Sequence, residues 1–387
     1  MKKSLLALAV LGAFSGAAFA QSSVQLYGII DMGVTHFTGI APTGGGPGTV
    51  SSTGLSSGVQ SGDRIGVKGT EDLGGGLKAF FTVETGFCGS GLNQAGSTTQ
   101  TAGNQSFCTG GGFMQRQAFA GLAGNFGTLS LGRQYTPAFL SEAAVDPFGV
   151  GLTGSVLDMG LVSRFPLLPP YAQVRANQAA AYVTPNLSGF KGTVAYSFAP
   201  GAAGTVPTAS GAGSNVTRGM ALNGQYANGP VMAGLTYTRL TNVYANPTSL
   251  VNDGAFKMWQ AYGSYDFGIA KIGGIYENAS TDYSSGNSKY WMLSATIPVG
   301  PGAILAAYSQ NKNDVTTAAN PVPAGTAKEY AIGYTYSLSK QTNLYTSYAH
   351  INNAAGTALT VGSATDGFTG VAGQGSSGFA LGIRHQF

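Results

Sequence analysis

Segments of about ten residues with period-two alternation recur along the whole chain, and the connections between them alternate between tight and long. In 190–198, Phe190, Val194, Tyr196 and Phe198 share one face while Lys191, Thr193, Ala195 and Ser197 share the other. Trp291, Leu293, Ala295 and Ile297 oppose Tyr290, Ser294 and Thr296 in the same way. Tyr330, Ile332, Tyr334, Tyr336 and Leu338 likewise oppose Ala331, Gly333, Thr335 and Ser337. One face is greasy and the other is small and polar, but too poor in charge for a soluble surface.

Tight connections rich in Gly, Asn, Asp, Pro and Ser fall at 71–74, 124–126, 185–188, 227–230, 266–268, 298–301 and 339–341. Long Gly/Ala/Ser/Thr stretches lie near 38–60, 87–112, 135–173, 199–216, 241–254, 279–287, 312–325 and 351–375. Short turn, long loop, short turn is the rhythm of an all-β, transmembrane antiparallel β-barrel, with short periplasmic turns and long extracellular loops. The count comes to about sixteen strands, an even number as such closure requires. A β-sandwich would need large inward hydrophobes where this chain has Gly, Ala, Ser and Thr.

Composition agrees with a sheet against lipid. Charged residues are only 9%, against roughly a quarter in an ordinary globular domain, while the chain holds 61 Gly, 19 Tyr and 20 Phe. Residues 1–20 read as a signal peptide: Lys2 and Lys3, an apolar run from Leu5 to Phe14, then Ala18-Phe19-Ala20. That run is too short for a spanning helix. Residues 21–387 then form a single barrel domain, placed by its export signal in the outer membrane. With the leader removed, 17 basic residues face 15 acidic ones, a bias too weak to argue for nucleic acid.

Cys88 and Cys108, exported to an oxidising compartment, are expected to pair across one surface loop. No metal site and no cofactor is expected, since no histidine stands near the two thiols. His36, His350 and His385 lack a carboxylate or nucleophile at recognisable spacing, and no GxSxG, HExxH or Walker string occurs, so the chain does not read as an enzyme. In the final strand, Phe379, Leu381, Ile383, His385 and Phe387 alternate with Gly378, Ala380, Gly382, Arg384 and Gln386. A terminal aromatic strand of this form resembles the signal read by the barrel-assembly machinery.

Alternation turns Arg64 and Lys68 to the lumen, opposite Ile65 and Val67; Lys78, Thr82 and Glu84 follow, opposite Leu77, Ala79, Phe81 and Val83. Tyr196, Phe198, Tyr226, Tyr237, Tyr262, Tyr336 and Tyr348 fall near strand ends, where interfacial girdles belong.

Three strings carry a family resemblance: SSVQLYGIIDMGV at Ser22–Val34, SGDRIGVKGTEDLGGGLKAFFTVETGF at Ser61–Phe87, and RQAFAGLAGNFGTLSLGRQYTP at Arg116–Pro137. With the ending GIRHQF, they resemble the general porins of the Gram-negative porin family of beta-proteobacteria, of the Neisseria, Bordetella, Burkholderia and Comamonas type. The middle of the chain matches in rhythm alone. The resemblance implies an outer-membrane channel for passive diffusion of ions and small hydrophilic solutes, with a substrate-specific channel of the same shape as the alternative. It also implies a homotrimer in contact with outer-membrane lipid and lipopolysaccharide, and a third long loop, here about 135–171 with DPFG at Asp146–Gly149, folded into the barrel. By the same resemblance Arg116 and Arg133 join Arg64 on the wall of the constriction. Arg133 shares parity with Leu129 and Leu131, so its inward turn requires a bulge or a strand end. Loop residues Glu142, Asp146 and Asp158 are expected to supply the opposing charge.

Overall fold

Along Ser288–Val299, Leu293 and Ile297 stand exposed while Tyr290, Met292 and Ser294 are buried, the two-sided pattern of a wall with oil outside. The computed structural model describes residues 23–42, 46–90, 114–165, 174–198, 218–243, 254–282, 284–315, 324–362 and 368–387. Residues 1–20, read above as a signal peptide, Cys108 and much of several long connections lie outside the described residues.

The strands in chain order are β1 (Ser23–Ile40), β2 (Val50–Ser57), β3 (Arg64–Gly74), β4 (Leu77–Gly86), β5 (Gln117–Gly124) and β6 (Gly127–Tyr135). Then come helices α1 (Pro137–Ala143) and α2 (Leu161–Arg164), with a 3-10 turn at Val156–Asp158 between them. The wall resumes with β7 (Arg175–Val183), β8 (Phe190–Ser197), β9 (Arg218–Asn228), β10 (Val231–Val243), β11 (Gly254–Asp266) and β12 (Lys271–Thr281). It ends with β13 (Ser288–Val299), β14 (Gly302–Asn313), β15 (Gly325–Ser337), β16 (Thr342–Asn353) and β17 (Ser376–Gln386). Every neighbouring pair is antiparallel, and β1 closes the barrel on β17 from Ile29↔Gln386 to Thr38↔Ser377.

Seventeen segments build sixteen strands, because β2 and β3 occupy one position. β2 pairs with the upper part of β1 (Met32↔Ser57) and β3 with the lower (Ser23↔Thr70). Between them residues 58–63 leave the ladder and fold inward, so the long first loop expected over 38–60 is shorter: β2 occupies 50–57. The freed backbone groups are bonded by carboxylates. Asp31 accepts from the amides of Gln60 (2.7 Å) and Ser61 (2.6 Å) and from the Tyr345 hydroxyl (2.6 Å). Asp63 accepts from the amide of Asp31 at 2.5 Å and from Ser57 Oγ.

The tight turns lie at the predicted places with one shift. β3 runs through 71–74 and the chain reverses at Gly75-Gly76, where Gly74, Gly75 and Gly76 have φ of +85°, +59° and +80°. Side chains with a Cβ rarely adopt that left-handed conformation, so open space around these glycines does not make them replaceable. Tyr262 departs from the girdle expectation: it is buried, and its hydroxyl accepts from Asn223 Nδ2 at 2.9 Å.

Candidate pore constriction

Helix α1 begins where the wall ends. Thr136 caps it through Oγ1, which accepts from the Phe139 amide at 3.2 Å, and Pro137 stands in the first turn, where a missing N–H costs nothing. This Thr-Pro start is a helix signal that the reading of 135–171 as plain loop passed over.

From there the segment crosses the inside of the barrel, fastened strand by strand. Ser141 Oγ meets Thr236 Oγ1 of β10 at 2.6 Å, and Gln260 of β11 donates to the Ala138 carbonyl at 3.2 Å. Glu277 of β12 accepts from the Leu161 amide at 2.7 Å, and Ser294 of β13 donates to the Val145 carbonyl at 2.7 Å. Asn311 of β14 donates to the Met159 carbonyl at 2.7 Å. Phe148, Leu152, Met159 and Leu161 are fully buried beneath it, so much of the apolar core is this loop packed on the inner wall.

The opposite inner wall is basic. Arg116 donates from Nε to Glu84 Oε1 at 2.7 Å, while Glu84 Oε2 accepts from Tyr27 at 3.0 Å. Arg116 and Arg175 both donate to the Tyr135 hydroxyl, at 2.9 and 3.1 Å. The Tyr135 ring stacks on Phe139 of α1 with centroids 4.9 Å apart, tying the root of the loop to the arginines. Arg64 lies beside them and donates to the Gly62 carbonyl at 2.8 Å. The ladder slips between Gly132 and Gln134, so the bulge that parity required for Arg133 is present, with Gly132 at φ +134°. Arg133 bonds the Gln115 carbonyl and Asn177 Oδ1.

Two of the expected basic residues stand apart from this cluster. Lys68 is exposed, with Nζ 5.3 Å from the Tyr27 ring centroid, one layer toward the periplasmic end. Lys78 corrects the sequence reading more strongly: it pairs with Asp72 beside the β3–β4 turn, six residues and roughly 20 Å of strand from Glu84. It belongs to the periplasmic rim, because parity fixes which face a residue takes but not its height.

The loop acids also correct the expectation that they supply the opposing charge across the lumen, since all three are buried and bonded within the loop. Asp146 accepts from the amides of Phe148 and Val150 (each 2.9 Å) and Val156 (3.3 Å). Asp158 accepts from Gly154 (3.0 Å) and Gly362 (3.2 Å), and Glu142 from Val162 (3.2 Å). Burial pushes Asp146 up to about 6, against the pull of its three amide donors. It pushes Asp158 to about 6 as well, against the nearby Arg164. Burial, with the Glu277 carboxyl beside it, holds Glu142 well above the usual carboxylate range. These acids are internal fasteners of the loop.

Sequence reasoning missed Arg175 and Arg384 as members of the basic wall. Arg384 had a signal, since it lies on the inner parity of the last strand, paired with Asp31 of β1 and Asn343 of β16. Arg175 had none, because Gln178 at φ +45° and the slip beside Gly132 break the alternation around it. Cys88 carries a disulfide bond.

A family model described as Gram-negative porin matches residues 7–356. Outer membrane porin protein 32 of Delftia acidovorans is 32% identical over 406 residues, covering 100% of both chains. An outer membrane porin protein of Bordetella pertussis is 30% identical over 406 residues, covering 94% of this chain and 99% of its own. Among solved structures, the anion-selective porin from Comamonas acidovorans matches with a TM-score of 0.73 at 28% identity, over 95% of this chain and 100% of its own.

Proposed function

Because this chain belongs to the Gram-negative porin family, it forms a passive, water-filled channel in the outer membrane, and we propose that the channel favours anions. One observation carries the preference. Of the charges on the wall opposite the loop, Arg64, Arg133 and Arg384 are partly exposed, while Asp31, Asp63 and Glu84 are at most 3% exposed and internally bonded. The loop side presents Leu140, Ala143, Ala144, Pro147 and Gly149 to the lumen. A permeating ion therefore meets a one-sided positive field, which lowers the energy of an anion at the narrowest level. The similar Comamonas protein is an anion-selective porin.

The reversal potential of the purified channel in a salt gradient tests this. It should lie toward the anion side and move toward zero when Arg64 and Arg384 are both changed to Gln. An unchanged sign and size in that double variant would refute the assignment of the basic wall.

The channel also reads as a homotrimer. Exposed Phe190, Tyr226, Trp259, Tyr308, Tyr330 and Tyr348 place the aromatic girdles on β8–β16, whereas β3–β6 turn outward mainly aliphatic and small residues such as Ile65, Val67, Ala118, Leu122 and Leu131. Girdles belong where lipid headgroups are met; a mainly aliphatic sector, with Phe81 and Phe126 its exposed rings, suits contact with sister subunits. Residues 1–20 serve in this reading as a cleaved leader, Cys108 as the partner of Cys88, and the outward row Phe379, Leu381, Ile383, His385 and Phe387 as the mark for the assembly machinery.

A further inference from the structure

At the root of α1, on the inner wall of β6–β10, lies a cavity of about 210 Å³ whose chemistry differs from that of the basic wall. Its floor is made of small side chains on the inward parity of their strands: Ala179 and Ala181 of β7, Ala195 and Ser197 of β8, and Ala221 of β9. Thr136, Pro137 and Leu140 bound it on the side of the loop, and Leu140 is 53% exposed, an apolar side chain standing in the lumen. Val183 pairs with Thr193 and Thr193 with Asn223, and all three line the end nearer the tight β7–β8 turn, so the cavity reaches from the constriction toward the periplasmic mouth. Thr193 and Asn223 are partly exposed, which opens this end to the lumen.

Two features set what the cavity can hold. Among the described residues that line it none is charged, although Arg133 and Arg175 stand on β6 and β7 themselves. Thr238 of β10, only 7% exposed, also lines it, and its Oγ1 has no hydrogen-bond partner among the described residues. Gln134 adds a second such group: its Oε1 accepts from Ser130 at 2.7 Å, while its buried Nε2 is unpartnered. Folded proteins pair nearly all buried polar atoms, so two on one largely apolar cavity mark places for the polar atoms of a guest. A cavity of about 150 Å³ takes a benzene, and this one has room for a ring with a small polar group.

We propose that this cavity is a binding site for a small neutral amphipathic solute, a single ring bearing an uncharged group such as a carboxamide. The ring lies on the alanine floor, and the polar group pairs with Thr238 Oγ1. Apolar walls with a few placed polar groups are the usual make-up of a small-molecule site. A charged solute of the same shape is disfavoured, because it would shed water without gaining a counter-ion. The inference rests on the channel reading only in that the solute arrives through the lumen. It adds to a pore whose field favours anions a separate place for solutes that the field does not sort.

The test titrates the detergent-solubilised protein with benzamide and with benzoate, reading binding by saturation-transfer NMR after subtraction of protein-free micelles. Benzamide should bind saturably, and benzoate about tenfold more weakly or worse at this site. Thr238→Val keeps the shape of the side chain and removes the unpaired hydroxyl, so it should fold, which heat-modifiable migration verifies. It should weaken benzamide about fivefold, the worth of one ordinary hydrogen bond. Ala195→Phe fills the floor and should abolish benzamide binding. Absence of saturable benzamide binding to the wild type would mean that the cavity holds water only, and would overturn the proposal. Benzamide binding left unchanged by either substitution, or benzoate bound as tightly as benzamide and lost with it in Ala195→Phe, would overturn it equally. Conductance recorded on the same samples separates the two readings: a wild type that conducts without binding benzamide leaves the channel standing, and one without conductance condemns the channel itself.

Discussion

Arg116 donates through Nε to Glu84 Oε1 at 2.7 Å, and both side chains are only 3% exposed. A buried pair gains little over apolar packing, but removing one partner leaves a charge without its counter-ion and costs about 3–5 kcal/mol. Arg116→Gln should therefore lower the temperature at which the folded band is lost on heat-modifiability gels. Glu84→Gln should lower it too, while raising anion preference by leaving Arg116 uncompensated. Opposite effects on stability but equal effects on selectivity would contradict the pairing.

The loop acids make the channel pH-dependent in a defined direction. Asp146 and Asp158 have values near 6 in the fold, above those of the unfolded chain, chiefly through burial. A raised carboxyl contributes its stability fully below its unfolded value, and that contribution is lost as pH climbs through about 6, at roughly 2–3 kcal/mol per group. Around Asp158 stand Arg164 and Glu329, the latter also near Asp146. Amide protection factors over 146–158, corrected for the intrinsic pH dependence of exchange, should be higher at pH 5 than at pH 7.5. Over the same interval the reversal potential should move further toward the anion side, as negative charge leaves the loop. A shift toward cations on acidification would be inconsistent with buried, titrating acids.

The legible parts of this molecule are those that two solvents enforce. Leu293, Ile332 and Leu381 face oil and their neighbours face water, so alternation alone orients them. Lys78 shows the limit, for its face could be read but not its height. The roles of Asp146 and Asp158 were illegible for another reason: their partners are backbone amides of a folded loop, and an amide leaves no trace in the residue type that carries it. The break between β2 and β3 was hidden in the same way, since VSSTGLSS reads as loop until β1 pairs with it.

Gly154 tests how the loop is seated. Its φ is +92°, and a Cβ there would come within 2.2 Å of Ala331 Cβ on β15. Gly154→Ala should lift the loop off the wall and into the lumen, lowering single-channel conductance in planar bilayers. Unchanged or larger conductance would mean that the loop yields in some other direction.

With two cysteines in the chain and Cys88 disulfide-bonded, the full-length protein should take up no alkylating reagent until reduced, and two equivalents afterwards. Mass spectrometry of the intact chain reads this directly. One equivalent before reduction would place the bond between copies of the chain, and two would exclude it.

Leu131 on β6 and Leu293 on β13 are 57% and 56% exposed, so an isolated barrel does not distinguish them. Their surroundings do: Leu131 lies in the aliphatic sector, whereas Leu293 lies beneath the rings of Trp291 and Tyr308. If the aliphatic sector meets sister subunits, Leu131→Lys buries a charge between them, and the assembly should fall to monomers on crosslinking or native gels. Leu293→Lys meets lipid instead, where a charge costs about 2–4 kcal/mol at mid-depth, so the barrel should become less stable while its subunit number holds. Equal oligomeric states for the two variants would place the interface elsewhere, because the sectors would then differ in decoration but not in what they touch.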